Sequence, residues 1–311
     1  MKYIRNTLDF NIDAATAVTL GKFDGLHRGH ELLMEHIFRE ATEHGLCTAA
    51  FTFDIPPKNQ VNEETSKVLT TNDEKYFVFE KTGIDYLIEC PFTKEVMCME
   101  PVDFIAWIVS ALSAKCFVVG KDFHFGHNRA GDYHVLQENE KKYGYKTIVV
   151  DKVTEDGRDI SSTYVREEIV KGNIAKANHL LGYEYFIRSK IIHGKQIGRK
   201  MGIPTVNMQI PPEKLLPPFG VYVTRVEIGE KWYTSVSDVG VKPTIEGDNP
   251  LGVETYILDF CQDLYEKEVT VHFLEYIRPE KKFDSLEELK QQITSDIAYT
   301  EKYYKNVTKI C

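Results

Sequence analysis

The chain has 311 residues, and its 38 Lys and Arg against 47 Asp and Glu give a net charge of −9. This charge argues against a general nucleic-acid binder, because such proteins use an excess of Lys and Arg to displace counterions from phosphates. The length predicts two domains, each able to bury a core, and the 42% hydrophobic content argues against disorder, collagen and coiled coil.

No stretch reaches the roughly 18 consecutive apolar residues of a membrane span, and the first residues lead into no signal-peptide core. We therefore expect a cytosolic protein with no membrane partner. The six cysteines form no C-x-x-C pair, and three of them lie in apolar, strand-like runs. They are predicted to be reduced thiols that pack as small hydrophobic side chains.

The first half of the chain alternates strand-like and helix-like segments, which is typical of a parallel α/β sheet. Leu33, Ile37 and Ala41 recur every fourth residue and Gly45 follows as a stop, so an amphipathic helix is predicted over 30–44. Strands are predicted at 17–20, 47–53, 86–90, 116–119 and 146–150, and further helices at 101–112 and 133–143. The pattern predicts a doubly wound, Rossmann-like sheet whose ligands collect at the carboxyl ends of the strands.

Near residue 183 the pattern changes to strands separated by turn residues, with prolines concentrated between 204 and 218. We place a boundary there, which gives domains 1–183 and 184–311. Apolar residues at helical spacing between 285 and 304 predict one C-terminal helix. Strands with period-two alternation are predicted at 185–193, 221–228, 232–239, 254–260 and 268–277. A small antiparallel β-barrel with this helix packed on it is the expected product.

A loop of glycines and histidines, Gly21–His30, follows the first predicted strand. His27 and His30 fall at the start of the next helix, where partial positive charge and unpaired N–H groups favour an anion. Two imidazoles there can donate hydrogen bonds to one phosphate, which suits nucleotidyl transfer at an α-phosphate. A metal site or ordinary helix capping is the alternative. Asp24 either caps the turn or stabilises a histidine.

A second phosphate site is predicted at Ile160–Arg166, where three hydroxyl residues open a helix. A capping box would place Glu or Gln three residues after the cap, but Val165 and Arg166 stand at those positions. The helix N–H groups and Arg166 can therefore meet a polyphosphate. Plain capping by the hydroxyls is the alternative.

The segment Val119–Gly131 contains two phenylalanines and three glycines at a strand end. Phe123 and Phe125 can line a slot for a planar ring, with Arg129 near a phosphate. Packing of both rings in the core explains the pattern equally well.

In the second half, His193–Asn207 mixes glycines with basic residues after a strand. The spacing excludes a Walker A loop, yet backbone N–H groups can approach phosphates where side chains are absent. Thr205 and Asn207 lie on one face of an extended segment and offer oxygen ligands for Mg²⁺. A solvated basic hairpin without function is the alternative.

Glu254 begins a run in which strand alternation places it on the face of Tyr256, Leu258 and Phe260. That face is expected to be the interior one. A carboxylate there loses hydration and becomes a candidate general base. A buried structural salt bridge is the alternative.

Three motifs of the first half, G-x-F-D-G-x-H-x-G-H, V-G-x-D-F-x-F-G-x-x-R-x-G and I-S-S-T-x-x-R, together resemble the bacterial bifunctional riboflavin kinase/FAD synthetase family. The run Gly194–Asn207 is similar to that family's riboflavin kinase signature, and Glu254 stands at the family's E-x-x-x-x-D-F glutamate. The resemblance covers roughly residues 15–300. It implies a Rossmann-like adenylyltransferase domain followed by a barrel-type riboflavin kinase domain.

The resemblance also implies roles for individual residues. In the first domain, FMN attacks the α-phosphate of ATP, with His27 and His30 holding the reacting phosphates and Arg166 the far end. In the second, Glu254 activates riboflavin toward the γ-phosphate of ATP, while Thr205 and Asn207 bind Mg²⁺. ATP or its phosphates are expected at Gly21, Phe23, Asp24, Gly25, Gly29, Ser161, Ser162, Thr163, Gly194, Gly198, Arg199 and Lys200. The flavin is expected at Asp122, Phe123, Phe125 and Arg129.

Two departures from the family pattern stand out. Pro56 replaces a histidine of the family's F-D/E-P-H-P run, and Asp238 replaces the asparagine of its N-I-G-x-x-P-T turn. The first departure motivates a rival hypothesis, a riboflavin kinase whose first domain no longer transfers AMP. A second rival is a flavin- or nucleotide-sensing binding protein without turnover.

Overall fold

The computed structural model describes residues 1–54, 67–193, 198, 202–241 and 251–307. The chain divides into two compact units, Met1–Ser162 and Thr163–Cys311. This division falls at the start of a helix, ahead of residue 183. Domain limits at 183 and 184 therefore stay a prediction.

The first unit is built on a parallel sheet. Its strands are β1 (Lys2–Arg5), β2 (Thr16–Leu20), β3 (Cys47–Phe53), β4 (Tyr86–Cys90), β5 (Ala114–Gly120) and β6 (Lys146–Val150). They lie in the order β1-β4-β3-β2-β5-β6, and every pairing is parallel. The chain builds outward from β2 through β3 and β4, and β5 then returns to the other side of β2. Such a switch point opens a crevice at the carboxyl ends of β2 and β5.

Helices cover both faces of this sheet. They are α1 (Arg28–His44), α2 (Asn72–Thr82), α3 (Lys94–Met97), α4 (Pro101–Leu112) and α5 (Tyr133–Tyr143). On one face, Ile37 of α1 packs with Ala17 of β2. On the other face, Ile105 of α4 and Leu136 of α5 pack with Val18. Because neighbouring residues of a strand point to opposite faces, this arrangement confirms the predicted doubly wound fold. A short hairpin, β7 (Thr154–Glu155) and β8 (Arg158–Asp159), completes the unit.

The cysteines among the described residues carry free thiols. Cys90 and Cys116 are buried, and burial raises the pKa of each thiol to about 12. For these two the predicted hydrophobic packing is confirmed. It is wrong for Cys98 and Cys261, which are exposed because they lie at a helix end and just beyond a strand.

The second unit contains a closed barrel. Its helices are α6 (Ser162–Val170), α7 (Ile174–Leu181) and α8 (Leu286–Val307). Its strands are β9 (Phe186–Ile192), β10 (Thr205–Gln209), β11 (Gly220–Ile228), β12 (Lys231–Val241), β13 (Leu251–Ile257) and β14 (Glu268–Arg278). They close in the order β10-β13-β12-β11-β14-β9 with antiparallel pairings. The predicted barrel is confirmed.

The C-terminal helix α8 packs on this barrel, as the sequence predicts. Asp296 of α8 accepts a hydrogen bond at 2.7 Å from the guanidinium of Arg278 on β14. The hydroxyl of Tyr304 donates to the carbonyl of Thr224 on β11 at 3.0 Å. In the part of the chain that the structure describes, no helix combines the length and the apolar content needed to cross a membrane.

Four side-chain hydroxyls meet on adjacent strands of the barrel, and we call them the hydroxyl cluster: Thr224, Ser235, Ser237 and Thr255. Thr224 bonds to Ser235 at 2.7 Å and to Ser237 at 2.8 Å, and Ser237 bonds to Thr255 at 2.8 Å. All four residues are fully buried. Because burying an unpaired hydroxyl is costly, the four groups satisfy one another.

Candidate active sites

The glycine loop, residues 21–30, lies at the carboxyl end of β2, beside the switch point of the first sheet. Phe23 is buried and adopts a left-handed φ of 48°. Its ring packs edge-on against His30, with ring centroids 5.2 Å apart. A side chain at Gly29 would press on the ring of His27 at 3.1 Å. Gly29 therefore leaves room for the ring of His27, and Phe23 packs against the ring of His30.

His27 and His30 stack on each other, with ring centroids 3.8 Å apart. Burial lowers the pKa of His27 to about 4, although the nearby Asp122 carboxylate opposes this shift. Burial, and then the neighbouring His27, lower the pKa of His30 well below its ordinary value. Both rings are thus neutral at pH 7. The buried Nδ1 atoms of both have no hydrogen-bond partner among the described residues.

The lowered pKa of His27 makes stability depend on pH. Its folded-state pKa is about 4 against an ordinary 6.5, so between these values the unfolded chain binds more protons. We expect the free energy of unfolding of the first unit to fall by roughly 2 kcal/mol for this histidine between pH 7 and pH 5. Denaturant titrations at pH 7 and pH 5 should show that the free energy of unfolding of His27→Gln falls less between these two values than that of the parent protein.

The matched control is His134→Gln, which changes an exposed histidine of the same unit. This variant should keep the parent's pH dependence. An identical fall in His27→Gln and in the parent protein would contradict the assignment.

Neither alternative for the histidine pair finds support in this geometry. His27 is the N-cap residue of α1, but its side chain makes no capping hydrogen bond. Its carbonyl instead accepts the N–H groups of His30 at 2.7 Å and Glu31 at 3.1 Å. Among the described residues, the one group of three or more His, Cys, Asp or Glu side chains close enough to share a metal ion lies at the other end of α1, at Glu40, Glu43 and His44.

The carboxylate of Asp24, predicted either to cap the turn or to stabilise a histidine, bonds to the backbone of a neighbouring segment. Its Oδ1 accepts the backbone N–H groups of Leu69 at 2.8 Å and Thr70 at 3.1 Å. The hydroxyl of Thr70 in turn accepts the N–H of Gly25 at 3.1 Å. The carboxylate and Gly25 therefore tie the glycine loop to the segment before α2.

Removing this carboxylate should destabilise the first unit. Asp24→Ala leaves two backbone N–H groups without their acceptor, which should lower the free energy of unfolding by about 2–4 kcal/mol. Asp24→Asn keeps an acceptor oxygen and should cost about half as much. Asp13→Ala, an exposed change in the same unit, should stay within about 0.5 kcal/mol. A loss below 1 kcal/mol for Asp24→Ala in denaturant titration would show that these bonds are not needed.

The second predicted motif lies beside the glycine loop. The hydroxyl of Ser162 donates to the carbonyl of Asp24 at 2.7 Å, and the carbonyl of Ile160 lies within 3.5 Å of the Cβ position of Gly29. The structure thus brings Ser161 and Ser162, the last residues of the first unit, to the loop. Thr163 and Arg166 follow on α6, which belongs to the second unit, and their phosphate contacts stay a prediction.

The third predicted motif follows β5, on the other side of the switch point. Phe125 is buried, and its ring packs on Phe104 in the core with centroids 5.4 Å apart. Phe123 is half-buried and stacks on Phe125 at 5.5 Å. Core packing therefore accounts for Phe125, while Phe123 keeps a face toward solvent. Arg129 is exposed with a left-handed φ of 60°.

Asp122 lies close enough to His27 to raise its pKa. Its carboxylate also forms an ion pair with Lys152 at 3.2 Å. Lys152 forms a second ion pair, at 2.9 Å, with Asp159 of the β7–β8 hairpin. Asp122, which is predicted to bind the flavin, therefore belongs to a group of charged side chains with Lys152 and Asp159, and it is the member of that group that acts on His27. Lys152 was not predicted, because a lone lysine after a strand carries no sequence signal.

A buried ion pair near the carboxyl ends of β3 and β4 was also missed. Lys75 of α2 donates to the carbonyl of Phe53 at 3.2 Å and lies 3.7 Å from Glu89. Burial lowers the pKa of Lys75 and raises that of Glu89. The signal that could have found α2 is its capping box, in which Thr71 and Glu74 bond to each other's backbone N–H groups.

In the barrel, the predicted kinase residues lie side by side. Asn207 of β10 is directly opposite Glu254 of β13, which is directly opposite Asp238 of β12. The hydroxyl of Thr205 donates to the carboxylate of Glu254. We call these four half-buried residues the polar barrel face. Their hydroxyl, amide and carboxylate oxygens are the donors that Mg²⁺ prefers.

The burial expected for the face of Glu254 is wrong. Glu254 and Tyr256 are only half-buried, whereas Val253, Thr255 and Ile257 are buried. Alternation alone could not choose between the two faces, because both contain apolar side chains. The hydrogen-bond partner of Glu254 in the described part of the chain is the Thr205 hydroxyl, so the salt-bridge alternative finds no cation there.

Several predicted residues lie outside the described part of the chain. They are Gly194, Arg199 and Lys200 of the basic glycine run, and Pro56 of the first unit. Gly198 is described and buried, and its carbonyl accepts the N–H of Ile203 at 2.9 Å. A Cβ at Gly198 would lie 2.3 Å from the carbonyl oxygen of Ile203. This close approach of two backbone segments requires glycine.

A parallel sheet with an imidazole pair at its switch point, followed by a barrel with a carboxylate beside oxygen donors, is the architecture of a two-domain transferase. Residues 9–164 match the family model of FAD synthetase, and residues 181–304 match that of riboflavin kinase. The bifunctional riboflavin kinase/FMN adenylyltransferase of Escherichia coli (strain K12) is 34% identical over 282 residues, or 90% of each chain. The protein of the same name from Pseudomonas fluorescens is 32% identical over 281 residues, again 90% of each chain.

A solved structure is similar over nearly the full length. The crystal structure of a protein described as a macrolide-efflux protein from Streptococcus pneumoniae gives a TM-score of 0.84 at 30% identity, covering 96% of this chain and 98% of that one. The chain belongs to the family of bifunctional riboflavin kinase/FMN adenylyltransferases, with an FAD synthetase domain followed by a riboflavin kinase domain.

Proposed function

We propose that this enzyme converts riboflavin to FMN and then FMN to FAD, with ATP as the co-substrate of both steps. The barrel domain transfers the γ-phosphate of ATP to riboflavin. The first domain transfers AMP from ATP to FMN and releases pyrophosphate. The observation that carries the proposal is the buried imidazole pair at the start of α1, with unpartnered ring nitrogens beside a helix N-terminus.

In the adenylyl transfer, the neutral rings of His27 and His30 act as fixed hydrogen-bonding groups. Each neutral imidazole offers one N–H donor. As an oxygen of FMN attacks the α-phosphate, negative charge builds on that phosphate, and positioned donors in a buried site stabilise it strongly. The N–H groups at the start of α1 favour the same charge. Ser161 and Ser162 would hold the pyrophosphate end as it leaves.

In the phosphoryl transfer, Glu254 accepts the proton of the ribityl 5′-hydroxyl as that oxygen attacks the γ-phosphate, and ADP leaves. The hydroxyl of Thr205 bonds to this carboxylate and so fixes its direction. Thr205 and Asn207 would hold Mg²⁺, which neutralises phosphate charge when bound. Gly198 lets its own backbone approach the carbonyl of Ile203 closely, shortly before Thr205 in the chain.

The test is a product assay on the purified protein. Riboflavin, ATP and Mg²⁺ are incubated with the enzyme, and the flavins are separated by chromatography. We expect FMN to appear first and FAD to follow. FMN without FAD would instead identify a riboflavin kinase with an inactive first domain, and unchanged riboflavin would identify a binding protein without turnover.

The expected partners are the small molecules riboflavin, FMN and ATP. The cytosolic location and the absence of nucleic-acid and membrane partners stay predictions from the sequence. Measuring FAD formation from added FMN and ATP alone separates the second reaction from the first, and so tests each domain by itself.

A further inference from the structure

The β7–β8 hairpin comes directly before Ser161 and Ser162, and ion pairs connect each of its strands to a different side of the switch point. We propose that Glu155 and Asp159 are positioning residues for adenylyl transfer. They fasten the hairpin to the first unit and so hold the two serines beside the imidazole pair, ready for the phosphates of ATP. The inference rests on the proposed adenylyl transfer, and it concerns two residues that belong to none of the sequence motifs.

The first ion pair joins β7 to the start of α1. The guanidinium of Arg28 donates a hydrogen bond to the carboxylate of Glu155 at 3.3 Å. Arg28 is the first residue of α1 and follows His27 directly. Both side chains are mostly buried, with 35% of Arg28 and 25% of Glu155 exposed. Glu155 therefore fixes its strand beside the helix end that carries His27.

The second connection joins β8 to the segment after β5, on the other side of the switch point. Lys152 lies 2.9 Å from the carboxylate of Asp159 and 3.2 Å from that of Asp122. Asp122 follows the end of β5 by two residues, and its charge acts on His27. Lys152 thus links the two carboxylates, so the hairpin is fastened through both of its strands.

The chain between the hairpin and the serines is short, and contacts hold it as well. The N–H of Ile160 donates to the carbonyl of Val153 at 2.8 Å and closes the base of the hairpin. Ile160 is buried, and its carbonyl lies 3.5 Å from the Cβ position of Gly29 in the glycine loop. Because Ile160 alone separates β8 from Ser161, a movement of the hairpin shifts the serines with it.

The carboxylates of Glu155 and Asp159 are unsuited to contact phosphate themselves, because like charges repel at short range. Each carboxylate instead bonds to a cation. Groups that are already held in the geometry of the reaction avoid the entropic cost of arranging them when substrate binds. A displacement of about 1 Å caused by a change far from the reacting atoms can reduce a rate by about 100-fold. The value of the two carboxylates therefore lies in the position they give to the serines.

The experiment measures the rate of FAD formation from FMN and ATP. The serines would contact the phosphates in the ground state and the transition state alike, so looser positioning should raise the KM for ATP and leave kcat nearly unchanged. For Glu155→Gln we expect a rise of about three- to fivefold, the upper range for one partly exposed ion pair. Asp159→Asn should act similarly, and the two effects should multiply in the double variant. The KM for FMN and the rate of riboflavin phosphorylation should match the parent.

The matched control is Asp73→Asn, which removes an exposed carboxylate that pairs with Arg5 in the same unit. Its KM for ATP should stay within about 1.5-fold of the parent. The proposal is overturned if the double variant of Glu155 and Asp159 keeps the parent's KM for ATP, or if this KM falls. A lower KM would show that the carboxylates only compete with phosphate for nearby cations.

A double-mutant cycle tests whether Glu155 acts through Arg28. In an Arg28→Gln background this ion pair is already lost, so adding Glu155→Gln should leave the KM for ATP unchanged. A further rise as large as that in the parent background would contradict the pairing of Glu155 with Arg28 as the cause.

Hydrogen exchange provides a readout that does not depend on turnover. Without nucleotide, the amides of residues 153–160 should exchange faster in the double variant of Glu155 and Asp159 than in the parent. The denaturant midpoint should stay the same, because partly exposed ion pairs contribute little to global stability. Unchanged exchange would overturn the proposal. A parent protein that forms no FAD contradicts the proposed function, whereas an active parent with unaffected variants contradicts this inference alone.

Discussion

The His27→Ala variant is expected to lose FAD formation by about 100- to 1000-fold while forming FMN at the parent rate. Removing one positioned donor from a developing oxyanion typically costs this much. His27 is buried against His30 in the first unit, whereas the polar barrel face belongs to the second. The measurement is the rate of FAD production from FMN and ATP, with FMN production from riboflavin followed in parallel.

A matched control for this variant lies on the same helix. His44→Ala changes an exposed histidine at the far end of α1, and FAD formation should stay within twofold of the parent. Loss of both products to the same extent in His27→Ala would show that the two reactions do not use separate sites.

The Glu254→Gln variant is expected to lose riboflavin phosphorylation by about 100- to 10,000-fold, since a positioned general base contributes this much. The amide keeps the shape of the carboxylate beside Thr205 but cannot take up the proton. Added FMN should still become FAD at the parent rate. The two rates are measured separately by chromatography of the flavins, and Glu254→Ala should behave in the same way.

The control of equal charge is Glu230→Gln, which removes one negative charge from the exposed turn just before β12, and it should phosphorylate riboflavin normally. If Glu254→Gln phosphorylated riboflavin at the parent rate, Glu254 would not be the base. A residual rate that rises steeply with pH would indicate that hydroxide replaces the missing carboxylate, which is consistent with the assignment.

The elements that the sequence predicted to the residue have clear boundaries. The strands Cys47–Phe53 and Lys146–Val150 are short, mostly apolar runs, and the helix Tyr133–Tyr143 ends at Gly144, whose left-handed φ of 71° closes it. Glycine is the usual residue in that conformation, so a glycine after an apolar period is a dependable stop. At these places the local sequence was enough to predict where each element begins and ends.

The missed elements lack such local signals. β1 (Lys2–Arg5) is a four-residue edge strand with charged residues at both ends, and its pairing with β4 is a long-range contact. In α2 the buried side chains include Glu74 and Lys75, whose burial depends on partners elsewhere in the unit. Hydrophobic periodicity cannot report polar side chains that are buried because they pair.

In the candidate sites, too, some features follow from the local sequence and others depend on tertiary contacts. The positions of His27 and His30 on a strand-to-helix loop follow from spacing. Their burial and their contact with Phe23 depend on tertiary packing, and burial is what lowers their pKa values. The opposite placement of Asp238 and Glu254 required the strand register. Register is a tertiary property, and a shift of one residue would place either side chain on the other face.

The hydroxyl cluster of the barrel has a consequence for how this domain can diverge. Replacing Ser237 alone by an apolar residue removes the cluster partner of the buried Thr255 hydroxyl and one of the two partners of Thr224, whereas replacing all bonded partners together by apolar groups of the same shape can be nearly neutral. A single apolar substitution in the cluster therefore leaves at least one buried hydroxyl with fewer partners. We therefore expect the four residues to be exchanged for apolar ones more readily together than one at a time.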